Sequence, residues 1–80
     1  MNSNNFGLWL RCFMKEHNIK SSQLSKTIGV SERCIRQWTS GHSQPRLISV
    51  IFIIKAGARL TDKTESEIFT EIALAILKDN

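Results

Sequence analysis

The chain of 80 residues has no tyrosine, a single proline, four glycines and two cysteines. Each scarcity narrows the reading. Aromatic residues make up only 8% of the chain, which leaves few rings for stacking on unpaired bases and counts against a single-stranded RNA binder. Cys12 and Cys34 fit no metal-ligand spacing, and each falls on or beside an apolar helix face, so both are read as small hydrophobic residues and not as a zinc site or a disulfide. There is no uninterrupted apolar run of 18 residues and no secretory signal pattern; a cytoplasmic protein with no membrane partner is expected. No paired carboxylates, glycine-rich phosphate loop or nucleophile with a base at motif spacing occurs. No enzyme, cofactor, metal or small-molecule ligand is expected. His17 and His42 are read as ordinary surface histidines.

Acidic residues are scarce in one part of the chain only. Before residue 60 stand nine basic residues and two acidic ones, Glu16 and Glu32; after it, two basic and five acidic. The net +4 is therefore a basic body with an acidic end. A nucleic-acid surface would belong to the first 59 residues.

Against these absences, residues 21–45 are dense in structural signals. Leu24 and Ile28 lie four apart on one helix face, and Ser21 or Ser22 is expected as the N-cap. Gly29 closes that helix, Val30 begins a turn, and Ser31 caps the next helix. Cys34, Ile35 and Trp38 then fall on one side, and Glu32, Arg33, Arg36, Gln37 and Ser40 on the other, before Gly41 ends the helix. Arginine pairs bidentately with guanine, glutamine with adenine, and glutamate accepts from the cytosine amine. Glu32, Arg33, Arg36 and Gln37 are thus candidate base readers. On charge pattern alone the same face also suits a merely solvated helix.

Leu24, Ile28-Gly29-Val30-Ser31, Ile35, Trp38, Gly41 and Pro45 together resemble the helix-turn-helix of the lambda-repressor-like superfamily, the Cro/XRE type of regulator. The resemblance implies an all-α fold, a compact five-helix bundle over about residues 5–80, with the helix-turn-helix at about 21–41 and a single domain throughout. It implies a sequence-specific double-stranded DNA binder, usually a homodimer on a two-fold operator and usually a transcriptional repressor. It also implies phosphate contacts at Ser21, Ser22 and the Ser43–Arg46 loop, to which the basic residue Lys26 and the helix-end hydroxyls Ser31 and Ser40 are added as candidates. Where many members carry alanine after the leucine of the first motif helix, this chain has Ser25, which fits if its hydroxyl bonds locally.

The flanking segments frame the motif. Asn4 or Asn5 can cap a first helix running to about His17, with Phe6, Trp9, Leu10 and Phe13 as its apolar stripe. Arg11 and Lys15 form its basic outer edge, and Asn18 is a left-handed stop. Residues 47–54 are rich in β-branched side chains and pass for a buried strand by propensity. The resemblance favours a helix there, with Pro45 at its start and Gly57 just past its end. Thr64-x-x-Glu67 is a capping box for a last helix at about 64–79. Its stripe is Ile68, Phe69, Ile72, Ala73, Ile76 and Leu77, with Glu65, Glu71 and Lys78 outside. That stripe serves either a second subunit or the chain's own core. A reading of a different class, an antitoxin-like or protein-interaction module docking through the last two helices, remains as the alternative.

Overall fold

The computed structural model describes residues 5–77. Five helices follow one another: α1 (Asn5–Glu16), α2 (Ser21–Ile28), α3 (Glu32–Ser40), α4 (Leu47–Leu60) and α5 (Glu65–Leu77). The all-α five-helix bundle expected from the sequence is the observed fold, and residues 47–54 are helical despite their β-branched content. Burial decides this. Ile53 and Ile54 pack into the core on one side of α4, and tertiary packing of an apolar face outweighs a propensity difference of a few tenths of a kcal/mol per residue.

α1 packs against α3 and α5, α2 against α3 and α4, and α4 against α5. Leu10, Ile35, Ile53 and Ile68, one from each of α1, α3, α4 and α5, are the largest fully buried side chains, with Leu24 of α2 beside them. Full burial of such a side chain contributes about 1.5–3 kcal/mol. On α1 the expected stripe is present, with Phe6, Leu10 and Phe13 buried and Trp9 half-buried. Trp9 stacks on Phe13 at 4.9 Å between ring centroids, and Phe13 meets His17 at 4.6 Å, so aromatic contacts continue to the end of the helix. Asn18 takes φ 57°, the expected left-handed stop.

Several details differ from the expectations. α2 is capped by Lys20, not by Ser21 or Ser22. Ile19 is buried, which holds the chain entering α2 against the core and brings Ser21 into the first turn. The cap is completed by Gln23, whose Oε1 accepts from the Lys20 N–H at 3.5 Å. Asn5 lies inside α1 and is not its cap; its Nδ2 donates to the Ala75 carbonyl of α5 at 3.0 Å. Asn4 and Lys78 fall outside the described residues. Cys12 is exposed, while Cys34 is half-buried against the core.

Gly57 does not end α4. The helix continues one turn past it, and Gly57 is buried where Phe13 and Ile68 close over the backbone. A Cβ there would stand 2.9 Å from Ile68 Cδ1 and 3.3 Å from the Phe13 ring. Glycine is needed for close approach, not for a turn.

The capping box of α5 forms as expected. The Thr64 N–H donates to Glu67 Oε1 at 2.8 Å, and the Glu67 N–H donates to Thr64 Oγ1 at 3.1 Å. The Thr64 N–H and hydroxyl hold the Glu67 carboxyl below its ordinary value. Glu71 is not on the outside. Its Oε1 accepts from Trp9 Nε1 at 3.2 Å and its Oε2 meets Lys63 Nζ at 2.7 Å. One carboxylate thus ties α1 to the α4–α5 connection, and its hydrogen bond and charge raise the Lys63 pKa.

Candidate nucleic-acid interface

The turn between α2 and α3 is built from local chemistry. Gly29 takes φ 78°, and its N–H donates to the Ser25 carbonyl at 2.8 Å, closing α2. Ser25 also donates its hydroxyl to the Val30 carbonyl across the turn. That is the local bond a serine needs where two helices approach. Ser31 then caps α3, its Oγ accepting from the Cys34 N–H at 3.1 Å. At the other end Gly41 takes φ 84° and its N–H reaches the Trp38 carbonyl at 3.2 Å. The His42 N–H bonds to the Gln37 carbonyl at 3.0 Å, which turns the chain sharply toward α4.

α3 is thereby fixed in rotation as well as in position. Ile35 and Trp38 are buried, and the opposite side carries Glu32, Arg33 and Arg36 in solvent. Gln37 is half-buried on the edge of that face. Glu32 and Arg36 are four apart and meet at 3.9 Å, a long exposed contact that water or a ligand can displace at little cost. The four candidate base readers therefore share one exposed sector, three fully outward and Gln37 at its margin.

The candidate phosphate contacts sit at both ends of this sector. Ser22 and Lys26 of α2 are exposed, and Ser21 is partly covered in the first turn. The Ser31 hydroxyl is committed to the α3 cap as an acceptor, with its proton still available to donate. Past α3, Ser40 donates to the Gln37 carbonyl at 3.2 Å and lies 2.9 Å from His42 Nδ1. Ser43 is half-buried, and Arg46 is exposed as the N-cap of α4. Sequence reasoning did not single out Lys20 at the α2 boundary. It is an exposed cation at a helix start, and only the position of that boundary reveals it.

Electrostatically, α3 contributes two exposed arginines, with Lys20, Lys26 and Arg46 on the neighbouring elements. The acidic residues Glu65, Glu67 and Glu71 belong to α5, which packs against α1 and α4. No helix among the described residues is long and apolar enough to cross a membrane. No protein-family model, curated protein or solved structure matches the chain.

Proposed function

We propose that this protein is a sequence-specific double-stranded DNA-binding regulator of lambda-repressor-like type, acting in the cytoplasm as a transcriptional repressor. α3 enters the major groove and presents Glu32, Arg33, Arg36 and Gln37 to base edges. Ser21, Ser22, Lys26, Ser31, Ser40, Ser43 and Arg46 hold the phosphates on either side and set the register. Two copies bind a two-fold operator.

The observation that carries this reading is the outward face of α3. A short helix that spends its inner side on Ile35 and Trp38 leaves four polar, hydrogen-bonding side chains on one sector, including two arginines. That sector is entered through a glycine turn and a serine cap and is flanked by further cations. The test is selection of bound sequences from random duplex DNA by the full chain. The expected result is a two-fold symmetric consensus with half-site centres about one helical turn apart. Failure to enrich any sequence, with no loss of weak binding at high salt, would overturn it.

The exposed apolar side chains of α4 and α5 give the protein-interaction reading its one supporting observation. In that case no duplex consensus emerges and the apolar surface is filled by another protein.

A further inference from the structure

α4 is two-sided in a way its sequence conceals. Ile53, Ile54, Ala56 and Gly57 face the core. Opposite them Leu47, Ile48, Ile51 and Phe52 are exposed, Leu47 at 77%. These four occupy the first half of the helix, and the same outer stripe continues into Lys55 and Arg59, also exposed. Lys55 Nζ meets Glu65 Oε2 of α5 at 3.8 Å. One turn beyond Glu65 is Phe69, 62% exposed. The bridge therefore sets the charged end of the α4 stripe beside α5, whose Phe69 adds to the exposed apolar set. At ordinary side-chain areas this set exposes roughly 500 Å², at the upper end for the largest patch on a monomer and more than half of what a standard interface takes from each partner.

We infer that this face of α4, and not α5 alone, is where a second copy of the chain docks, with the two α4 helices antiparallel about a two-fold axis level with the middle of Leu47–Phe52. The inference rests on the two-fold reading above and names its contact surface. Charge selects the direction. Parallel helices would bring Lys55 against Lys55 and Arg59 against Arg59 of the second copy. Antiparallel pairing about the centre of the apolar half separates the two Lys55 positions by about 16 Å along the helix, beyond the screening length of about 8 Å. It sets Leu47 against Phe52 and Ile48 against Ile51 of the other copy, reciprocally, so the patch complements itself. The Lys55 stem covers the end of the contact while its ammonium stays in water.

The test uses the full chain in a Cys12→Ser background. Sedimentation equilibrium is run on the parent and on Ile51→Glu and Thr70→Glu variants; both positions are exposed, so folding is retained. Ile51→Glu should raise the dimer dissociation constant at least tenfold, and Thr70→Glu should leave it within twofold. An equimolar mixture of Ile48→Cys and Ile51→Cys chains should form a disulfide-linked pair on mild oxidation, where the background does not. A parent that stays monomeric at several hundred micromolar overturns the inference, and so does equal weakening by the two variants. Binding of the same samples to duplex DNA is scored separately. A monomer that binds DNA sinks only this interface, and a dimer blind to DNA sinks only the DNA reading.

Discussion

α3 and α4 are built on the same plan and finish with opposite surfaces. Each gives one side to the core, Ile35 and Trp38 in α3, Ile53 and Ile54 in α4. Outside, α3 shows Glu32, Arg33 and Arg36, whereas α4 shows Leu47, Ile48, Ile51 and Phe52. The inward faces explain why the chain folds, and on the proposed reading the outward faces differ because they serve different partners. A polar, arginine-bearing sector suits phosphate and base edges. An apolar sector with charges at one end suits another protein surface.

The largest expected effect separates inward from outward residues. Ile35→Ala, at a position with no exposure, should cost about 2–5 kcal/mol of stability in urea unfolding. Ile51→Ala should stay within about 0.5 kcal/mol when measured at concentrations where the chain is monomeric. Similar losses at both would break the distinction between inward and outward faces.

Next in size, Arg33→Ala should lose about 1–3 kcal/mol of affinity for a selected operator and relax preference at one position per half-site, with unfolding stability unchanged. Titrations by fluorescence anisotropy on matched and mismatched duplexes check this. Arg46→Ala sharpens the division between reading and positioning. It should weaken all duplexes alike and flatten the log–log salt dependence by about one unit.

Much of the α3 side was legible in the sequence because its signals are local. Gly29, Ser31 and Gly41 act through bonds to residues three or four positions away, and so does Thr64 with Glu67. Asn18 declares its backbone conformation by residue type. What was hidden depends on distant partners. Gly57 resembles a helix end until Phe13 and Ile68 are seen to close over it. Glu71 looks like a solvated acid until Trp9, 62 positions away, donates to it. Lys20 displaces the serines as the α2 cap because buried Ile19 fixes the entry of the chain. The outward polar sector of α3 follows from its periodicity. The division of α4 into two faces of opposite fate is marked only by Lys55 and Arg59 near its end, because the segment 47–54 is apolar on nearly every side.

A smaller effect tests the close approach. Gly57→Ala gains about 1 kcal/mol of helix propensity and must push Ile68 aside in a filled core. The net expectation is a destabilisation of about 1 kcal/mol, larger for Gly57→Val, read from thermal or urea midpoints.

The smallest concerns the α5 cap. Thr64→Ala should cost about 1 kcal/mol at neutral pH. Because the Glu67 carboxyl is held below its ordinary value in the folded chain, its contribution is complete above the unfolded carboxylate range and fades as pH falls through the lowered folded value. The difference between parent and Thr64→Ala should accordingly shrink in acid. Lys63, raised by Glu71, behaves in the opposite sense: its contribution is complete below the ordinary lysine range and lost as pH rises through the raised value.

The claim that the two outward faces serve two partners is tested most directly by amide NMR of the labelled full chain titrated with its selected duplex. At protein concentrations where the chain is already dimeric, the account predicts shifts and broadening at Ser21, Ser22, Ser31–Gln37 and Ser43–Arg46 on adding DNA, with Ile51, Phe52 and Phe69 insensitive to DNA and, in its absence, sensitive to dilution. Perturbations gathered on Ile51, Phe52 and Phe69 on adding DNA, with Arg33 and Arg36 unmoved, would contradict it.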